Sequence, residues 1–325
     1  MAKVFITRKL PEVAEQILKE AGHQVVVSSQ DGPLPRKEFL KGIARADAVI
    51  TLLTDQVDGE AMDAAGDIKG FANYAVGFDN MDVPAATDRG IPLSNTPGVL
   101  TDATAEMAWA LLFAVSRRVI ESDRVMRSGL WPGWGPMQFI GSDVGGRTLG
   151  IVGAGRIGTA MALKSRGFEM PVLYVDENRN ELLERELGAK KVDFETLLRE
   201  SDYISVHVPL MPSTKHLFHR EVFREMKHTA YLINTARGPV VNEAELVEAL
   251  KAGEIAGAGL DVFEYEPKMV DGLATLDNVV ITPHTASATE GSRNGMAELA
   301  ARNVLAMLEG KMPETCLNPG VLGDA

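Results

Sequence analysis

The chain reads as an α/β protein with two doubly wound parallel sheets. Three observations predict this. Short apolar runs alternate with helix-period segments over most of the sequence, and the series restarts near residue 148. The restart carries a G-x-G-x-x-G turn placed between a strand and a helix. Alternation of this kind favours parallel strands covered on both faces.

The first series begins with the strand Val4-Phe5-Ile6. Pro11 then opens a helix with Val13, Ile17 and Leu18 at helical spacing, and Gly22 ends it. Further strands are expected at His23–Val27, Ala48–Leu53, Lys69–Ala72 and Pro92–Asn95. From Asp102 to about Ser128 the pattern predicts one long helix, with Asp102 as N-cap and Met107, Leu111, Leu112 and Val115 as its apolar stripe. Gly129 to Gly146 cannot continue it. Trp131 and Trp134 lie in this stretch, either covering another surface or packing beneath a loop.

The second series predicts six strands: Leu149–Val152, Val172–Val175, Tyr203–Val206, Ala230–Asn234, Gly257–Leu260 and Val279–Thr282. A last helix is expected from about Glu290 to Leu308, returning to the first sheet. The expected domains are therefore 1–101 with 287–325, and 102–286, with a cleft between them.

The glycine turn is Gly153-Ala154-Gly155-Arg156-Ile157-Gly158. Gly153 permits the tight turn, Gly155 lets a pyrophosphate approach bare backbone, and Gly158 lets the helix lie close to the strand. The helix N-terminus adds unpaired N–H groups and a positive dipole. Glycines alone are weak evidence, since a Gly-rich connector could sit in another doubly wound protein. Here the next apolar run ends at Asp176, about 20 residues further on, where a ribose-binding acid is expected. A carboxylate accepts from both ribose hydroxyls and repels a 2′-phosphate, so NAD is expected over NADP. Arg179 is the one discordant group, because it could pair with such a phosphate.

Composition narrows the class. At 325 residues there is length for two cores, and 45% hydrophobic with 24% charged residues is ordinary for a globular protein. A net charge of −12 without any basic block argues against nucleic acid as partner. Cys316 stands alone, so no intrachain disulfide forms and a reducing, cytoplasmic setting is expected. The N-terminal residues read as a strand rather than a signal peptide, and the apolar run Met107–Val115 is too short to span a membrane. His216 and His219 are separated by two residues, but no acid–histidine cluster accompanies them and no metal is expected.

Three ionisable residues fall at or just after predicted strand ends: Arg237, Glu266 and His284. In open α/β sheets these ends form the ligand edge. Singly, each has a plainer role, as a surface ion pair or a structural Pro-His turn. Together they suit reduction of a 2-oxo acid. His284 can supply a proton near neutral pH, Glu266 can orient the imidazole and favour its protonated form, and Arg237 can bind a carboxylate and polarise the adjacent carbonyl.

With these residues in place, the sequence resembles the D-isomer-specific 2-hydroxyacid dehydrogenases, most nearly their glyoxylate/hydroxypyruvate reductase branch. The likeness runs almost end to end, through Asn73–Asn80 with Asp82, Asn95–Thr101, Val152–Gly158, Val208–Leu210, Asn234–Gly238, Gly257–Phe263 with Glu266-Pro267, and Pro283-His284. It implies a Rossmann NAD-binding domain, a flavodoxin-like substrate domain, and reversible reduction of a small 2-oxo acid to the D-2-hydroxy acid.

The resemblance also implies roles. His284 is the acid/base, Glu266 its partner and Arg237 the substrate clamp. Leu53, Ala75 and the backbone N–H groups of Val76 and Gly77 meet the substrate. Arg156 and Ile157 offer backbone to the pyrophosphate beside Gly153, Gly155 and Gly158, and Asp261 lies by the nicotinamide carboxamide. Thr104, Val208, Pro209, Thr214, Thr235, Ala236 and Ala286 are further cofactor neighbours, with Arg237 and His284 also at the cofactor.

Thr285-Ala286 departs from the pattern, since relatives often carry an aliphatic residue and glycine there; this touches the shape of the nicotinamide pocket. A homodimer joined through the cofactor domains is implied. Neighbouring activities on the same scaffold are those of dehydrogenases of another small acid, such as formate, phosphite, phosphoglycerate or 2-ketogluconate, although Glu266 favours a hydroxy acid over formate, where glutamine stands. A different class is an NAD-sensing binding protein.

Overall fold

Five parallel strands form the sheet of the first unit in the computed structural model, which describes residues 1–323. They are β1 (Lys3–Ile6), β2 (Gln24–Val27), β3 (Ala48–Thr51), β4 (Phe71–Asn73) and β5 (Leu93–Ser94), in the order β2-β1-β3-β4-β5. Val4, Ile6, Val49 and Ile50 are fully buried, as a sheet covered on both faces requires. Each such side chain contributes about 1.5–3 kcal/mol by leaving water. This unit comprises Met1–Leu100 and the segment from Ala288 onward. The Glu290–Leu308 helix packs on the Glu12–Glu20 helix and on β3 and β4. Beyond it the chain fastens to β5, where Leu317 N–H donates to Leu93 O at 2.8 Å and Asn318 Oδ1 accepts from Leu93 N–H at 2.9 Å.

The second unit, Thr101–Ser287, holds a seven-stranded parallel sheet. Its strands are β6 (Leu149–Val152), β7 (Val172–Val175), β8 (Lys190–Lys191), β9 (Tyr203–Val206), β10 (Tyr231–Asn234), β11 (Gly257–Leu260) and β12 (Val279–Ile281), ordered β12-β11-β10-β9-β6-β7-β8. The order reverses at β6, which pairs with both β7 and β9. That reversal is the topological switch point of a doubly wound sheet, where ligands bind beyond the strand ends.

Several expectations need correction. The sheet has seven strands, not six, because β8 is a two-residue exposed edge without an apolar signature. The long helix is two helices, Thr101–Ser116 and Val119–Ser128, broken by Arg118 at φ 53°. The break is held from outside by Ser142 N–H, which donates to Ser116 O at 2.9 Å, and locally by Arg118, which closes on Glu121 at 2.7 Å. Asp102 lies within the first turn rather than capping it, and pairs with Lys164 at 2.9 Å. Trp131 and Trp134 are 48% and 83% exposed, so they do not pack beneath their loop. Among the described residues no helix is long and apolar enough to cross a membrane.

Candidate active site

The glycine turn follows β6 directly. Gly153 has φ 93°, and a Cβ on Gly158 would stand 2.0 Å from the Gly153 carbonyl oxygen, so only glycine lets this helix begin so close to its strand. A Cβ on Gly155 would meet nothing within 4 Å, which leaves the backbone there open. Arg156 and Ile157 begin the Arg156–Lys164 helix, and their N–H groups lack intrahelical acceptors. Such a terminus fits a diphosphate.

Asp176, just past β7, braces the turn from the side: its Oδ2 accepts from Ala154 N–H at 2.8 Å and its Oδ1 from Asn178 N–H at 3.0 Å. Asn180, which the sequence did not single out, donates to Ala154 O and Thr159 Oγ1 at 2.9 and 2.8 Å. Arg179 turns away to Glu184, with contacts down to 2.6 Å. Together the open backbone, the helix terminus and the ribose-side acid fit a nicotinamide dinucleotide.

Beyond β9, His207 follows the strand at the switch point, and its main chain lies against Gly153. Burial pushes its imidazole down to about 3, so the ring is neutral, with Nε2 2.8 Å from Ser205 Oγ. Val208 is half-buried and Pro209 exposed. Thr214 spends its hydroxyl on the turn itself, donating to Pro209 O at 2.6 Å and accepting from Met211 N–H at 2.8 Å. Thr104 is buried in its helix, and Thr235 is buried with an unpartnered Oγ1.

The ends of β10, β11 and β12 carry the ionisable group. Glu266 Oε2 lies 2.9 Å from His284 Nδ1, while Glu266 Oε1 accepts from Phe263 N–H at 3.0 Å. Burial alone would push the Glu266 carboxyl up. The hydrogen bond and charge of His284, the Phe263 N–H and Arg237 outweigh it and hold the carboxyl below its usual range. Among the described residues nothing bonds to His284 Nε2, so that edge of the ring is left for a ligand.

The His284 loop is itself fastened by Asp261, which is wholly buried. Asp261 Oδ1 accepts from Thr282 Oγ1 and Thr285 N–H, and its Oδ2 from Ala286 N–H at 2.7 Å. The carboxylate is thus committed to the loop rather than open to a ligand, and the Ala286 N–H is committed with it. Arg237 is half-buried; its Nη1 donates to Ala236 O at 2.9 Å.

The first unit presents a different kind of site. After β4 the chain runs through Tyr74, Ala75, Val76 and Gly77, and three carbonyls of this loop are occupied. Thr96 N–H donates to Ala75 O at 2.8 Å, Asn95 Nδ2 to Val76 O at 2.7 Å, and Asn73 Nδ2 to Gly77 O at 3.0 Å. No described residue accepts from the N–H groups of Val76 or Gly77. A rigid loop with free, adjacent N–H groups suits a carboxylate. Asn80, at the end of the Asn73–Asn80 motif, ties this loop to the one after β3 by donating to Leu52 O at 3.1 Å and Asp55 O at 2.8 Å. Leu53 on that second loop is 37% exposed.

Comparison with known proteins places this geometry. Residues 109–286 match the family model described as D-isomer specific 2-hydroxyacid dehydrogenase, NAD binding domain. A glyoxylate reductase from Thermococcus litoralis is 49% identical over 324 residues, covering 98% of each chain. A solved protein from Thermus thermophilus superposes with a TM-score of 0.91 at 44% identity, over 97% of this chain and 99% of that one. An NADPH-dependent glyoxylate/hydroxypyruvate reductase from Sinorhizobium meliloti, solved with NADP and malonate, gives 0.85 at 30% identity over 98% and 97%. The chain therefore belongs to the D-isomer-specific 2-hydroxyacid dehydrogenase family.

Proposed function

We propose that this protein reduces a small 2-oxo acid, glyoxylate or hydroxypyruvate, to the D-2-hydroxy acid with NADH, and that the reaction is reversible. The observation that carries this reading is the Glu266–His284 pair at 2.9 Å, at the ends of the same sheet that holds the open glycine turn. Bound NADH supplies the hydride to the carbonyl carbon. His284 delivers the proton from Nε2 to the carbonyl oxygen as it gains charge, and Glu266 steadies the imidazolium before transfer. Arg237 binds the substrate carboxylate and polarises the neighbouring carbonyl. In the first unit, the N–H groups of Val76 and Gly77 are read as carboxylate-binding groups, with Leu53 and Ala75 as apolar wall.

NAD is favoured over NADP by two features. Asp176 stands where a 2′-phosphate would be repelled, and the Arg179 charge is engaged by Glu184. Against this, the Sinorhizobium meliloti relative is named as NADPH-dependent. Arg156, Ile157, Thr104, Val208, Pro209, Thr235 and Ala236 are assigned to cofactor contact by their place around the switch point or by the family motif, whereas Thr214, Asp261 and Ala286 act by shaping the loops. A single cysteine suits a reducing cytoplasm.

The protein is further proposed to work as a homodimer. The Val119–Ser128 helix has no buried residue, and Leu130, Trp134 and Met137 just beyond it are about four-fifths exposed, at 78%, 83% and 78%. An apolar surface of this kind marks an interface.

The decisive measurement is steady-state turnover with NADH and NADPH across a panel of 2-oxo acids, for wild type and His284→Ala. The variant should lose about 10²-fold or more in kcat and bind NADH normally. Wild-type kcat in His284→Ala would remove the acid/base role. Cofactor binding without turnover of any oxo acid would favour a binding protein, and preference for NADPH would overturn the reading of Asp176.

A further inference from the structure

Arg237 and Glu266 stand on separate arms, after β10 and β11, and one residue outside both arms joins them. His216 N–H donates to Pro239 O at 2.8 Å, two residues past Arg237. The ring Nε2 of the same residue lies 2.6 Å from Glu264 Oε1, two residues before Glu266. His216 makes both contacts from left-handed backbone, at φ 53°. A non-glycine residue adopts that conformation at a cost, so the surrounding bonds must impose it. Adjacent main chain does so: Phe218 N–H donates to Val240 O at 3.1 Å, and Asn242 N–H to Phe218 O at 2.8 Å.

Glu264 leads to a second carboxylate. The Glu264 side chain is 7% exposed, and its Oε2 accepts from Glu243 N–H at 3.2 Å. Glu243 is 3% exposed and reciprocates, with Oε2 accepting from Glu264 N–H at 2.7 Å and Oε1 from Val270 N–H at 2.5 Å. One buried side chain thus brackets the loop that bears Glu266. Gly238 presses on the same loop, since a Cβ there would stand 1.9 Å from the Phe263 carbonyl. Burying two carboxylates is costly unless each is hydrogen-bonded. Burial pushes the Glu264 carboxyl up, while His216 and the Glu243 N–H hold it below its usual range. His219 is no part of this; it pairs with Glu221 at 2.7 Å.

We propose that His216, acting through Glu264 and Glu243, is a positioning residue that sets Arg237 and Glu266 in register with each other. The inference rests on the reading above that Glu266 orients the acid/base His284. The ring contributes a donor to Glu264 and the main chain an anchor at Pro239, so removing the ring takes one tie from the Glu266 loop, which Glu243 still brackets, while leaving the Arg237 arm tied. The reacting groups are then misplaced rather than deleted, and misplacement lowers the rate of the chemical step more than it weakens binding.

The test is steady-state kinetics with NADH and glyoxylate for His216→Ala, His216→Gln, Glu264→Gln and the His216→Ala/Glu264→Gln double variant, with Glu266→Gln in parallel. His216→Ala should lower kcat about tenfold, with KM for glyoxylate and Kd for NADH within about twofold. His216→Gln keeps a side-chain N–H donor and should recover most of the loss. The double variant should be no slower than His216→Ala, because both changes break one link.

A wild-type kcat in His216→Ala, or a loss that His216→Gln does not restore, overturns the proposal. Should His216→Ala fail to fold, Glu264→Gln carries the same reading, and its wild-type kcat would overturn it. Impaired Glu266→Gln beside an unimpaired His216→Ala removes this inference alone. An unimpaired Glu266→Gln removes the catalytic reading beneath it as well.

Discussion

Asp55 shows how a single side chain can serve a loop at a cost to the fold. It is 5% exposed and accepts from Thr7 Oγ1 and from Leu52 N–H at 2.8 Å, fixing the turn that carries Leu53. Burial dominates its titration and pushes the carboxyl up, against the hydrogen bonds of Thr7 and Leu52 and the charge of Arg8. A carboxyl raised in the folded state contributes most stability below its unfolded value of about 3.9, and that contribution is lost as pH rises through the folded value. Asp55→Asn retains an acceptor without the charge. It should therefore melt at or above the wild-type temperature at pH 7, with the advantage shrinking toward about pH 4. Asp55→Ala should lose about 1–3 kcal/mol, because the Leu52 N–H is left unmet. Thermal unfolding at several pH values reads both, and an Asn variant less stable than wild type at pH 7 but not at pH 4 would contradict the argument.

At the level of elements, the glycine turn separates two roles that one motif combines. Gly158→Ala forces a Cβ against the Gly153 carbonyl and should cost about 1–3 kcal/mol of stability even without cofactor. Gly155→Ala meets no atom within 4 Å, so its apo stability should stay within about 0.5 kcal/mol while NADH binding weakens. Thermal unfolding without ligand and an NADH titration distinguish the two, and a Gly155→Ala variant that binds NADH like wild type would break the link to the pyrophosphate. This motif and the strand–helix alternation were legible because their cause is local: backbone conformation, close approach and apolar period.

The features that escaped the sequence have non-local causes. Nothing in Ser116-Arg117-Arg118-Val119 marks a break, since Ser142 and the Gly141 backbone impose it from a distant segment. Two exposed lysines form β8 only because β7 offers them a ladder. Asp261, Thr214 and Asn80 carry no signal of where their hydrogen bonds go until the loops around them are folded.

For the molecule as a whole, exposed apolar side chains gather between Val119 and Ile140, interspersed with charged residues. Met126 and Ile140 are each 57% exposed there, beside Leu130, Trp134 and Met137. Each chain also carries a net charge of −12, so two copies repel one another at long range. Contact between apolar faces must exceed that repulsion, and salt weakens only the repulsion, because the Debye length falls from about 10 Å at 0.1 M to about 3 Å at 1 M. The proposed dimer should therefore tighten as salt rises. An association built on ion pairs would loosen instead. Light scattering after size exclusion should give a two-chain mass for wild type, and a Leu130→Glu/Met137→Glu variant should shift to the one-chain mass without losing its own fold. A wild-type protein that stays at one-chain mass from low to high salt would show that this surface serves something other than a second copy.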